Sequence, residues 1–375
     1  MLSNYENILI KKETTEGTFV LPTDAYNISS ITLNTDSPKQ SIASINGKLL
    51  DPSRKVSWVK DVAWNLTFNA YNELLWLALT WTVWNATNVT NLWSWKYKHT
   101  FDVNLQWLPS YTFELTKWAY VSRYSWVKFN TLWLSVDWNV FKIDNSLVWL
   151  KSLEIDKIVS VAWNVLTLNV NAWYTANDFV DIFNKKWELV TSWMDITAVN
   201  SSTITISDAT WIVAWYSIAL TKRTSWITKI TPSNDFLFCK STIKFEVDSV
   251  NSFETKVEWL SLNINNNIDT NKWKTSWSCF KTSNPQKQRN ISWNVVIDIE
   301  QNWVRELLSR YNAWTDIQIQ LTVNDVNWNS LVLKWNVSLT KIPVDLNVND
   351  YITAKVDFEF TSVDELSLTT ENSSY

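Results

Sequence analysis

The sequence predicts an all-β fold with short helices: a barrel or sandwich of two related halves, with a small β module inserted between them. Three observations carry this. Runs of alternating apolar and polar side chains, the period of a half-buried strand, recur along most of the chain. Turn-forming residues separate such runs at about ten-residue intervals between 96 and 150, a spacing typical of all-β folds. A strand that switches into a short helix occurs twice, which points to internal repetition.

The first of these units lies in 62–84. Asn65-Leu66-Thr67-Phe68-Asn69-Ala70-Tyr71 alternates as a strand, and Asn72-Glu73-Leu74-Leu75 opens a run with helical spacing. The second lies in 291–321. There Val295-Val296-Ile297-Asp298-Ile299 reads as the strand, Val304-Arg305-Glu306-Leu307-Leu308 as the helix and Ile317-Gln318-Ile319-Gln320-Leu321 as the next strand.

The composition contains a conflict. The chain has 28 Trp and 2 Gly in 375 residues. Adding the counts, 28 + 2 = 30 of 375, gives about 8%, an ordinary glycine content. The tryptophans also stand where turns want glycine. Asp137-Trp138-Asn139 and Asn327-Trp328-Asn329 separate alternating strands, as Asn-Gly or Asp-Gly does in hairpins. Lys186-Trp187-Glu188, Asn302-Trp303 and Leu92-Trp93-Ser94-Trp95-Lys96 have the same character. A bulky L-residue in left-handed conformation costs about 1–2 kcal/mol, so half a dozen such turns would consume most of a domain's stability of about 5–15 kcal/mol. Some bacterial lineages and their viruses read UGA as glycine, and translating UGA as tryptophan would produce this pattern. The competing reading is a tryptophan-rich sugar binder with aromatic stacking platforms. Such platforms cluster on one face, whereas these residues recur in turn after turn.

The first half of the main domain is assigned to 1–151. The start, MLSNYENILIKKE, lacks the basic-then-apolar pattern of a signal peptide, and no run of about 18 apolar residues is present. Phe19-Val20-Leu21 is strand-like and Ile28 to Leu33 alternates. Residues 36–61 read as a long loop or extended hairpin. Loops of this size are usually functional or disordered, so a partner-binding arm is expected, with Gly47, Arg54, Lys55 and Lys60 as its candidate inter-subunit residues. In 96–150, strands are expected at Lys98 to Val103, Tyr111 to Leu115, Tyr120 to Tyr124, Phe129 to Val136 and Val140 to Ile143.

Residues 152–230 are expected to form the inserted module. Its short strands are Val165 to Val170, Phe179 to Phe183, Thr203 to Ile206 and Ser217 to Leu220. The carboxylates Asp178, Asp181, Asp195 and Asp208 lack the spacing of a calcium loop and read as solvated turn acids. The second half, 231–375, contains strands at Ile243 to Val247, Leu260 to Ile264, Ser330 to Lys334 and Tyr351 to Phe360. Asn265 to Gln288 reads as a polar loop and 362–375 as a frayed polar tail.

Catalytic patterns are absent from this reading. His99 is the sole histidine and reads as a surface or half-buried strand residue. Cys239 and Cys279 form no CxxC pattern. Carboxylates are plentiful but scattered, and nothing singles out the pair a glycoside hydrolase needs. No enzyme, metal or cofactor is therefore expected. The net charge of −4 lacks the basic excess of a free-standing nucleic-acid binder.

Read with glycine at the tryptophan positions, the chain resembles the tail tube proteins of long-tailed bacteriophages. The resemblance rests on Glu13-Thr14-Thr15-Glu16-Gly17-Thr18 and on the loop leading to Asp61-Val62-Ala63-Trp64-Asn65-Leu66-Thr67-Phe68. It continues through Glu73-Leu74-Leu75-Trp76-Leu77-Ala78-Leu79, Tyr111 to Trp149, Leu260 to Asn267, Trp293 to Leu308 and Asp350 to Phe360. It covers most of the chain outside 152–230. It implies a virion protein, assembled in the host cytoplasm, whose subunits pair strand edges into hexameric rings. The rings stack into a tube with a lumen for DNA, which passes without specific binding. The implied partners are further copies of the chain and other tail proteins such as terminator, tape measure and baseplate, with no membrane. The alternative is a secreted or surface β-sandwich adhesin that binds carbohydrate.

Overall fold

The computed structural model describes residues 5–36, 39–41, 55–57, 61–83, 86–93, 95–102, 108–117, 120–148, 151–153, 155–168, 173–223, 226–246, 252–268, 288–298, 301–341, 344–345 and 353–371. The protein is all-β, with two helices among the described residues, as its alternation predicts.

The doubled unit is present. Strand Asp61–Asn69 runs into helix α1 (Asn72–Thr82), which is followed by the hairpin of Ala86–Trp93 and Lys96–Phe101. Strand Asn290–Asp298 precedes helix α2 (Gln301–Ala313), which is followed by the hairpin of Ile317–Asn324 and Ser330–Lys341. The units differ in burial. Leu74, Leu75, Leu77, Ala78 and Leu79 of α1 are all buried, so packing rather than amphipathic propensity holds this helix.

Both ends of α1 are satisfied by distant residues. Ser233 Oγ accepts from the Asn72 N–H at 3.1 Å, while the Ser233 N–H donates to Glu73 Oε2 at 3.2 Å. This is a capping box closed across the fold instead of along the chain. At the other end Asn266, fully buried, donates through Nδ2 to the carbonyls of Thr82 (3.0 Å) and Phe129 (3.1 Å). Arg289 donates to Asn266 Oδ1 at 2.7 Å and to the Val83 carbonyl at 3.3 Å. These groups occupy carbonyls the helix leaves orphaned, and the guanidinium complements the negative end of its dipole. Burial lowers the Arg289 pKa to about 10, with Asp102 acting in the opposite direction.

In the second half six strands close a circuit. Leu237–Glu246 pairs with Ser252–Asn265, then Asn290–Asp298, Thr353–Thr370, Ser330–Lys341 and Ile317–Asn324, which returns to Leu237–Glu246. The first half forms the series Ser30–Asp36, Asp61–Asn69, Val140–Val148, Tyr120–Asp137, Tyr111–Lys117 and Tyr5–Lys12. Three strand pairings among the described residues join the halves, one of them the single pair of Val140 with Leu237. Leu132 of Tyr120–Asp137 pairs with Ile264, and Thr100 of Lys96–Phe101 pairs with Ser367. One core fills both, with Leu66, Phe68, Phe113 and Phe129 packed in the same cluster as Phe245, Leu260, Ile319 and Leu333.

A second closed barrel lies within the inserted stretch. Its strands run Asp156–Ala162, Val165–Leu168, Thr203–Ile206, Leu189–Val199, Phe179–Phe183 and Ser217–Lys222. Ile158, Leu166, Val180, Ile182, Ile196 and Ile204 fill it, and Val121 of the main domain belongs to the same cluster.

Several expectations are corrected. Phe19-Val20-Leu21 is not a strand; Phe19 instead stacks on Trp173 of the insert at 5.2 Å. Tyr120 to Tyr124 and Phe129 to Val136 are one strand, Tyr120–Asp137, carrying a bulge between Tyr124 and Val127 rather than a break. The expected tail is strand to Thr370, because Leu366 and Leu368 are buried in the core. His99 is buried as well, its ring 6.5 Å from that of Trp76 and its Nε2 3.4 Å from Thr370 Oγ1.

Candidate functional site

Three places in the fold could do more than fill space: the hairpin arm, two open sheet edges, and the charged contact between the barrels.

The arm has a two-stranded stem of its own. Ser30–Asp36 and Asp61–Asn69 pair as far as Asp36 opposite Asp61, and beyond them Lys39–Ser41 pairs with Lys55–Ser57. The extended-hairpin reading of 36–61 therefore describes its stem. Of the candidate residues, Lys55 lies in that stem, its Cα opposite Ser41. Gly47, Arg54 and Lys60 lie outside the described residues.

Among the described strands with a single paired neighbour, two are longer than three residues. Ser30–Asp36 pairs with Asp61–Asn69, and Ala86–Trp93 pairs with Lys96–Phe101. On the second of these Val89, Thr90, Asn91 and Leu92 are all exposed, so neither face of the strand is covered there. An edge with exposed Val and Leu is a template for another strand.

The barrel contact is electrostatic at its centre. Arg123 Nε donates to Glu114 Oε2 at 2.8 Å, and its Nη2 donates to Asp178 Oδ2 at 3.1 Å. Its Nη1 donates to the Trp173 carbonyl. Arg223 Nη1 reaches Glu114 Oε1 at 2.9 Å. Two guanidiniums thus face two carboxylates, and all four residues are buried. The Phe19 ring lies 5.6 Å from the Arg123 guanidinium carbon, in cation–π range. Asp178 and Asp181 are therefore not the solvated acids their spacing suggests. Asp178 pairs with Arg123, and Asp181 accepts the Trp193 N–H at 3.0 Å.

A fourth cluster centres on Glu13. Its carboxylate accepts from the Gly17 N–H (2.7 Å), the Trp126 N–H (2.7 Å), Ser110 Oγ (2.6 Å) and Thr112 Oγ1 (3.3 Å). Burial nevertheless raises its pKa above the ordinary carboxylate value. The donors come from the turn at 13–18, from Ser110 and from the neighbouring strands, so Glu13 ties the turn to the sheet. The same holds at Asp325. It accepts the Asn327 and Asn329 N–H groups at 2.7 and 2.9 Å, while the buried Lys96 ammonium donates to the Asn327 carbonyl at 2.9 Å.

No family model matches this chain, and no curated protein does. Among the described residues no group of three His, Cys, Asp or Glu is placed to hold a metal ion. No helix among them is long and apolar enough to cross a membrane. Cys239 is exposed with a free thiol, and Cys279 lies outside the described residues. What the arrangement offers is pairing capacity at strand edges.

Proposed function

We propose that this chain is a structural subunit of a tube, the major tail tube protein of a long-tailed phage, and that its work is assembly. The observation that carries the reading is the open strand Ala86–Trp93 with Val89 and Leu92 exposed, in a fold whose strand–helix–hairpin unit is used twice. An uncovered apolar edge is a liability to a monomer, and closing a ring of copies removes it. The hairpin stem at Lys39–Ser41 and Lys55–Ser57 gives the subunit an arm to reach a neighbour in the ring or the next ring. A subunit of net charge −4 without a dense basic stripe suits a wall along which DNA slides, because phosphate binding needs clustered Lys and Arg. Further copies, a terminator, a tape measure and a baseplate are the partners this role requires.

Electron microscopy of the purified protein tests the reading. Rings or tubes are expected, together with monomers that stay folded but fail to assemble when Val89 and Leu92 are both replaced by Lys. A wild type that remains monomeric under all assembly conditions, including with an initiator complex, contradicts the proposal. A carbohydrate-binding role would need aromatic platforms. The most exposed tryptophans, Trp138, Trp163 and Trp314, instead sit in three separate turns.

A further inference from the structure

Among the described residues, every position of left-handed backbone is glycine, asparagine or tryptophan. Gly17 lies at φ +78°, and Asn177 and Asn267 at 69° and 48°. These are the residue types that tolerate the region. The remaining eight are Trp126, Trp138, Trp163, Trp187, Trp193, Trp215, Trp314 and Trp328, with φ between 54° and 74°. A bulky side chain there is an outlier, and here it is the commonest residue in the set.

Their places are the places of glycine in known backbone motifs. At the end of α2 the Thr315 N–H donates to the Arg310 carbonyl at 3.2 Å, and the Trp314 N–H to the Tyr311 carbonyl at 3.3 Å. Those two bonds define a Schellman motif with Trp314 at φ 54° in its left-handed position, where glycine is usual. Trp138 opens the two-residue loop between Asp137 and Val140, and Trp163 opens that between Ala162 and Val165. In both loops the first residue has positive φ and the asparagine after it does not. That is the pattern of a II′ turn, whose first central residue is glycine. Trp193 and Trp126 fall within register shifts of their ladders, the bulge position that favours a left-handed glycine. Trp187 and Trp328 lie in the hairpin loops closed by Phe183 with Leu189 and Asn324 with Ser330.

The most exposed rings offer little in return. Trp138, Trp163 and Trp314 are 97, 95 and 92% exposed, so their apolar surface contributes almost nothing to folding. The combined backbone strain of eight such residues is comparable to the whole stability of a domain. Trp64, Trp81 and Trp335 are of another kind, with negative φ and rings inside the core.

We infer that the functional molecule carries glycine at 126, 138, 163, 187, 193, 215, 314 and 328, each written by a UGA codon that its own translation system reads as glycine. The inference concerns the chemical identity of the residues and stands apart from the tube reading. It does not extend to Trp64, Trp81 and Trp335.

Tryptic peptide mass spectrometry of protein taken from its native source tests it. Residues 311–334 contain no internal Lys or Arg and report positions 314 and 328 together. Residues 129–142 report 138, and the strand residue Trp133 in the same peptide allows the two positions to be compared. Glycine masses at 138, 314 and 328 are expected. Tryptophan at these positions, or the ordinary tryptophan codon UGG in the gene, overturns the inference. A recombinant chain with W138G, W163G, W314G and W328G supplies the physical arm, with a Tm above that of the tryptophan chain expected. An equal or lower Tm contradicts the claim that the backbone demands glycine there.

Discussion

Arg123 and Glu114 form an ion pair at 2.8 Å with both side chains wholly shielded from water. Neither residue lies in the inserted barrel, yet Arg123 also reaches Asp178, which does. The guanidinium therefore joins the two barrels by charge, at a point where Val121 joins them by apolar packing. Removing it leaves Glu114 paired with Arg223 and strips Asp178 of its ion pair. R123M is expected to lower stability by about 3–5 kcal/mol, the range for breaking a buried pair from one side. Denaturant unfolding measures this, and a loss under about 1 kcal/mol would show that water reaches the cluster.

Asn266 supports a helix it does not belong to. N266A removes the donors to the Thr82 and Phe129 carbonyls and the acceptor of Arg289. The expected cost is about 1–3 kcal/mol, since buried polar groups lose their partners. Hydrogen exchange should quicken in the last turn of α1, and unchanged exchange there would separate the cap from the helix.

Lys98 and Glu365 bridge the first-half hairpin to the last strand at 2.5 Å. Burial works to raise the Glu365 pKa, but hydrogen bonds from Lys98 and Ser367 prevail and hold it below its ordinary value. A depressed folded-state pKa gives stability that is present above the unfolded value and is lost as pH falls through the folded one. K98M should therefore cost up to about 1 kcal/mol at neutral pH, and the difference from wild type should shrink as the solution is acidified below the carboxylate range. A gap that persists in acid would assign the effect to packing of the Lys98 stem.

The segment after Thr361 supplies a further test. L368A should cost about 2–5 kcal/mol, the range for truncating a leucine in a closed core. A frayed tail would lose less than about 0.5 kcal/mol. Chemical denaturation distinguishes the two directly.

Much of the fold is legible in the chain because one face of each strand is buried. Ile317 to Val323 alternates apolar and polar residues, and the same alternation of buried and half-buried side chains appears in the structure. The two strand-to-helix switches are legible for the same reason. Misreadings arise where alternation is diluted. Ser362-Val363-Asp364-Glu365-Leu366-Ser367-Leu368 carries three apolar residues among four polar ones, with a register shift near Trp335 that moves the phase. Leu189–Val199 is mostly exposed or half-buried along its length, so its pattern carries little hydrophobic signal. Of the candidate arm residues, Lys55 falls in the paired stem, while Gly47, Arg54 and Lys60 lie outside the described residues. The Arg123 cluster is invisible at the sequence level. Glu114, Arg123, Asp178 and Arg223 are dispersed over more than a hundred positions, and only the fold makes them neighbours.

The strand Thr353–Thr370 pairs with Asn290–Asp298, Ser330–Lys341 and Lys96–Phe101. Its partners thus come from both halves, and all of them precede it in the chain. Until it arrives, the second-half circuit stays open and the first-half hairpin lacks this partner, so closure must wait until residue 370 has been made. Non-local pairing of this kind is slow and leaves edges exposed meanwhile. A nascent chain that buries its edges late runs the risk of joining a neighbouring chain before it has finished joining itself.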